Sequence, residues 1–208
     1  MRLALAKGRL EEAGWRWLAS QGLATPPRAA RGLLWRVQPD LEVALVRGWD
    51  IPRLLATGAV HVGVVGRDVA LESGQDLWLS RGLGFGQSRL VLAAPQGCDP
   101  LRGTPRVATR YPAVSRSWFQ ARGLRAEIVP LAGSVEVAPA LGLADAIVDV
   151  VETGATLQAN GLVPLQVLLA SSAVLATRAG ESVLAQDLLL IGGIASARQT
   201  GGAYAADL

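Results

Sequence analysis

Cysteine and histidine occur once each in the 208 residues, as Cys98 and His61. A single cysteine excludes a disulfide within the chain, and the two together supply too few ligands for a structural zinc site. A nucleophilic triad would have to recruit His61, which stands between Val60 and Val62 and reads as a strand residue. Phenylalanine and tyrosine are scarce, two of each beside six tryptophans, and the basic residues form no run. That leaves no visible aromatic and basic platform for single-stranded nucleic acid. The longest apolar region, residues 162–176, is broken by Pro164, Gln166, Ser171 and Ser172. It falls short of the ~20 residues that a membrane helix needs. The apolar stretch at the N-terminus is far too brief for a signal-peptide core, so a soluble cytoplasmic protein is expected. Lysine is as rare as histidine: Lys7 is the one lysine among 20 Lys and Arg.

What the chain has is apolar surface. Half of it is hydrophobic, 18% is charged, and the mean hydropathy is +0.32. Burial of that surface can offset the entropy of ordering the chain, and the length suits one large domain or two small ones. A net charge of +3 and a pI near 9.7 point to anionic ligands. Because the charge is dispersed, a polyanionic small molecule fits better than DNA or RNA.

Hydrophobic periodicity predicts strands over 2–6, 41–46, 60–65, 89–94, 106–108, 126–129 and 146–151, and one or two strands over 165–177. Helices are predicted over 9–21, after the Asp50-Ile-Pro52 cap, from 68, and over 113–122, 135–141 and 153–159, with a further helix opening the tail at 181. This alternation predicts an α/β fold with mainly parallel sheets and helices on both faces. The Pro/Gly/Asp loop at 95–105 suggests two small lobes. The expected division is 1–88 with 165–208 for the first lobe and 89–164 for the second.

The most informative stretch is Asp145-Ala-Ile-Val-Asp-Val-Val-Glu-Thr-Gly-Ala-Thr-Leu157, an apolar strand running directly into a helix. Successive amides at such a turn can face a phosphate, Gly154 permits close approach, and Thr153 and Thr156 add hydroxyl donors. Asp149 and Glu152 repel a phosphate on their own account, but suit a ribose hydroxyl or a Mg²⁺ ion alongside it.

This stretch resembles the phosphoribosyl-pyrophosphate loop of the ATP phosphoribosyltransferase family. Other segments match the family in the same order: Leu5-Ala-Lys-Gly-Arg-Leu10, Arg47-Gly-Trp-Asp-Ile-Pro52, Val62-Gly-Val-Val-Gly-Arg-Asp68, Gly82-Leu-Gly-Phe-Gly86, Val107-Ala-Thr-Arg-Tyr-Pro112, Gly133-Ser-Val-Glu-Val-Ala-Pro139 and Gly142-Leu-Ala-Asp-Ala-Ile-Val148. The resemblance implies a two-lobed fold like the type II periplasmic binding proteins, with the active site in the inter-lobe cleft. It implies the first reaction of histidine biosynthesis: adenine N1 of ATP displaces pyrophosphate from phosphoribosyl pyrophosphate, with Mg²⁺, to give phosphoribosyl-ATP. The length resembles the short form, which lacks a C-terminal regulatory domain, self-associates as a dimer, and works with a histidyl-tRNA-synthetase-like subunit.

On that reading Glu152, Thr153, Gly154, Ala155 and Thr156 hold the 5′-phosphate, and Asp149 faces the ribose, directly or through Mg²⁺. Glu136 is a second candidate for ribose or metal. Lys7 and Arg9 face phosphates at the end of the first strand. Arg31 and Arg47 are candidates for the leaving pyrophosphate and ATP phosphates, since guanidinium groups bind phosphate bidentately and keep their charge at neutral pH. Arg28 satisfies the same physics as Arg31. Asp68 and Arg110 are placed on the nucleotide side. The rival from another class is a non-catalytic small-molecule-binding module on the same two-lobed frame, for which a phosphate loop would have no use.

Overall fold

The computed structural model describes residues 1–25 and 32–183. The predicted tail helix past residue 183, and Arg28 and Arg31, lie outside them. The described residues form two compact units, Met1–Gly86 with residues 172–183, and Gln87–Ser171.

The first unit begins with β1 (Arg2–Lys7), whose four central residues are buried, and α1 (Glu11–Ser20). The hairpin β2 (Leu34–Gln38) and β3 (Leu41–Arg47) follows, then one 3₁₀ turn and α2 (Ile51–Ala56) with Pro52 in its first turn. Next come β4 (Val62–Gly66), α3 (Arg67–Glu72) and β5 (Leu77–Leu79). The fully buried β4, Val-Gly-Val-Val-Gly, is the continuous apolar run expected of a strand covered on both faces. His61 stands just before it. Its Nδ1 accepts the Arg2 N–H at 3.0 Å, a bond that ties the start of β4 to β1.

The second unit contains β6 (Ser88–Pro95), β7 (Arg106–Thr109), α4 (Pro112–Ala121), β8 (Glu127–Pro130), β9 (Ala146–Val151), α5 (Ala155–Ala159) and β10 (Leu162–Ser171). The chain then returns to the first unit as β11 (Ala173–Arg178). The apolar stretch 165–177 therefore divides between sheets: β10 pairs with β6, whereas β11 lies between β4 and β5.

Sheet order is β2-β3-β1-β4-β11-β5 in the first unit and β10-β6-β9-β7-β8 in the second. Both are mixed, which corrects the expectation of mainly parallel sheets. β1 runs parallel to β3 and β4, and β7 parallel to β8 and β9, while the β2, β5, β6, β10 and β11 pairings are antiparallel. Helical crossovers enforce the parallel pairs, and hairpins and returning strands supply the others. A second correction concerns 135–141, which forms only a 3₁₀ turn over Val135–Val137, followed by turns rather than a helix. Pro139 and the left-handed backbone at Ser134 leave no room for a longer one.

In the first unit Leu3, Leu5, Leu18, Val43, Val62, Val64 and Leu175 form one apolar cluster, with Trp17 at its margin. Each fully buried Leu or Val contributes about 1.5–3 kcal/mol. In the second unit Val91, Ala108, Val135, Ala138, Ile147, Val151 and Leu157 share one cluster. That core anchors the loops described next.

Candidate active site

In the second unit, the carboxyl ends of the parallel strands β8, β7 and β9 lie side by side, the edge where open α/β sheets usually hold ligands. β9 is an apolar strand interrupted by Asp149, which is half-buried opposite Val91. One carboxylate oxygen accepts the Val150 N–H at 2.8 Å. Burial pushes the Asp149 carboxyl above its ordinary range. The Val150 bond opposes that, the Glu136 charge adds to it, and the Arg110 charge opposes it. Glu136 and Arg110, from two other segments, thus act electrostatically on the Asp149 of β9.

β9 ends at Val151, and residues 152–154 bend into α5. Gly154 has φ +88°, a left-handed conformation that disfavours any side chain, although a Cβ there would meet nothing nearer than Val151 Cγ1 at 3.9 Å. Thr153 Oγ1 accepts the Ala155 N–H through a long 3.4 Å bond, and Asn160 donates to the Thr156 carbonyl at 2.9 Å. Glu152, Thr153, Ala155 and Thr156 are exposed, whereas Leu157 is buried beside Val151 and Val135. The helix starts at Ala155 rather than Thr153, so Thr153 lies in the bend and Thr156 in the first turn of α5, both exposed. Amides and hydroxyls at such a bend suit an anion.

Glu136 rides on the 3₁₀ turn, fixed by buried Val135 and Ala138. Ser134 enters that turn at φ 52°, the one non-glycine positive φ among the described residues. Strain of this kind concentrates at functional loops. Arg110, exposed, follows directly on β7.

The other predicted residues belong to the first unit. Lys7 ends β1 and Arg47 ends β3; the two occupy facing register positions and both are exposed. Arg9 follows the left-handed Gly8, and its Nη1 donates to the Gly86 carbonyl at 3.2 Å. Asp68 differs from expectation. It is only 1% exposed, in the first turn of α3, and folds so tightly against Gly66 that a Cβ there would overlap its carboxylate. Its carboxylate is thus packed into the β4–α3 turn rather than exposed.

Among the described residues, no three His, Cys, Asp or Glu side chains gather as a ligand set. Asp149 and Glu136 are carboxylates of the hard-donor type, and the Glu136 charge reaches Asp149. Mg²⁺ commonly uses one or two carboxylates and takes its remaining ligands from water and substrate phosphates, so the residues fit that ion. Two residues at this edge had no role in the sequence reading. Ser134 carried the signal of a polar residue after Gly133. Thr109 carried none, because its partner is distant in sequence.

The family described as ATP phosphoribosyltransferase (HisG) matches residues 47–191, well over half of the chain. The chain belongs to this family. An ATP phosphoribosyltransferase from Symbiobacterium thermophilum is 42% identical over 179 residues, covering 82% of this chain and 81% of the relative. Among solved structures, the ATP phosphoribosyl transferase (HisG:HisZ) complex from Thermotoga maritima superposes with a TM-score of 0.76 at 32% identity, covering 93% of this chain and 99% of that one. The periplasmic aliphatic sulphonate binding protein SsuA from Escherichia coli gives a TM-score of 0.56 at 15% identity, over 93% of this chain and 71% of that one. That second likeness shows a common fold only. This chain thus has the α/β fold class that periplasmic binding proteins also use.

Proposed function

We propose that this chain condenses ATP with phosphoribosyl pyrophosphate, releasing pyrophosphate and forming phosphoribosyl-ATP, the first step of histidine biosynthesis. The observation that carries the reading is the edge joining Asp149, Glu136 and the Gly154 bend in a chain of this family.

In this reaction adenine N1 attacks C1 of the ribose as the C1–oxygen bond to pyrophosphate breaks. The ribose gains positive character, and the departing pyrophosphate gains negative charge. Amides and hydroxyls of Thr153, Gly154, Ala155 and Thr156 bind the 5′-phosphate and orient the sugar. Asp149 and Glu136 face the ribose hydroxyls, where their charge favours the cationic transition state. They would also hold Mg²⁺, which when bound with the substrate neutralises phosphate charge. Lys7 and Arg47 present fixed positive charge to phosphates, the preorganised electrostatics that a charge-gaining leaving group requires. Arg9 adds to that cationic edge, and Arg31 is retained as a candidate there. Arg110, whose charge acts on Asp149, is assigned to the phosphoribosyl side rather than to the nucleotide.

The Thermotoga complex supports a partner of HisZ type, a separate subunit like histidyl-tRNA synthetase, and a self-associated dimer is proposed with it. No helix among the described residues is long and apolar enough to cross a membrane, and a cytoplasmic location suits this biosynthetic role. The deciding experiment follows the absorbance of phosphoribosyl-ATP with ATP, phosphoribosyl pyrophosphate and Mg²⁺, with and without that partner. Product formation that rises on adding the partner is expected. No product under either condition overturns the proposal.

A further inference from the structure

Thr109 is the last residue of β7 and is fully buried. Its hydroxyl donates to the Val148 carbonyl at 2.7 Å and accepts the Tyr111 N–H at 2.9 Å. The first bond spans 39 residues of sequence and reaches the carbonyl immediately before Asp149. The second closes a turn with Arg110 inside it. Thr109 faces Val148 in the parallel ladder, and the chain leaves the sheet one residue later toward Pro112, which has no N–H. A side-chain hydroxyl thus continues the β7–β9 connection past the point where the main chain turns away. Its proton and one of its lone pairs are both in use, so the buried hydroxyl is bonded as donor and as acceptor.

We infer that Thr109 is a positioning residue: its buried hydroxyl fixes the turn bearing Arg110 against the strand bearing Asp149, so that cation and carboxylate present a set spacing to the phosphoribosyl group. This rests on the proposed function, and deepens it by assigning a residue that does not itself touch substrate. Valine has nearly the shape of threonine but neither donates nor accepts here, while serine keeps the hydroxyl.

The test measures phosphoribosyl-pyrophosphate binding with Mg²⁺ by calorimetry on the full chain, after circular dichroism has established folding. Thr109→Val is expected to weaken binding tenfold or more, and Thr109→Ser to stay within threefold of the native protein. In an Arg110→Ala background, Thr109→Val should add less than twofold, because its action runs through Arg110. A merely structural hydroxyl would give the same loss in both backgrounds, which would overturn the inference, as would a folded Thr109→Val that binds like the native protein. A loss of tenfold or more in folded Thr109→Ser overturns it too, and this arm stands even if the valine variant does not fold. If the native chain binds no phosphoribosyl pyrophosphate, the proposed function falls and takes this inference with it. If it binds and the variants fail their pattern, the inference alone falls.

Discussion

Lys7 and Arg47 stand opposite one another at the carboxyl ends of the neighbouring parallel strands β1 and β3. Two like charges facing each other across a strand pair are unfavourable without a counter-charge. Under the proposed function a substrate phosphate would supply it, which would give the chain's single lysine a reason to occupy position 7.

Arg47→Ala should therefore lower turnover by about 10²–10³-fold, the usual loss when one preorganised donor to a developing negative charge is removed. Its melting temperature should match or slightly exceed that of the native protein, since a like-charge pair is relieved. Steady-state kinetics and a thermal melt on the same sample check both halves.

Gly154→Ala isolates backbone geometry from packing. With no atom nearer than Val151 Cγ1 to obstruct a methyl group, the cost is that of an L-residue held left-handed, about 1–2 kcal/mol. Chemical denaturation should show that loss, and phosphoribosyl-pyrophosphate binding should weaken further as the bend relaxes to another φ.

Asp149 sets a pH dependence. Its folded carboxyl is raised, chiefly by burial, so the folded state holds the proton more tightly than the unfolded chain does. Its contribution to stability falls as pH rises from the ordinary carboxylate range through the raised value. Asp149→Asn should melt above the native protein at neutral pH, with the gap closing on acidification, while losing phosphoribosyl-pyrophosphate binding.

Asp145 should behave with the opposite sign. Arg106 binds it through side chain and backbone at 2.8–3.4 Å and holds its carboxyl below the ordinary range. That stability is present above the ordinary carboxylate range and is lost as pH falls through the depressed value. Asp145→Asn should melt slightly below the native protein at neutral pH and converge with it in acid. The gap is small because both partners are close to half exposed. Melts of the two Asn variants across pH make a direct comparison.

Local signals in the sequence account for most of the strands and for the β9–α5 bend, where an apolar run, a glycine and two threonines occur together. β2 and β5 left little trace. Leu34-Trp-Arg-Val-Gln38 is a mostly exposed edge strand, and Leu77-Trp-Leu79 is too short to show a period. Val135-Glu-Val137 carried apolar spacing enough for a helix, but Ser134 and Pro139 cut it to one turn. Strand direction was illegible because pairing is settled between distant segments, as β11 between β4 and β5 illustrates. The same holds for the site. Asp149, Glu136 and the bend could be named from their neighbours, but the burial of Asp68 and the Thr109 link to Val148 exist only once the strands are in register.

The placement of β11 has a consequence for biosynthesis. As the ribosome extrudes this chain from its N-terminus, β1 to β5 emerge early, yet β4 lacks its antiparallel neighbour until residues 173–178 appear. Nearly the whole second unit is translated in the interval. An apolar strand edge left open for that long is a template for pairing with other chains. The nascent protein is thus most vulnerable to aggregation just before its final described strand slots into place.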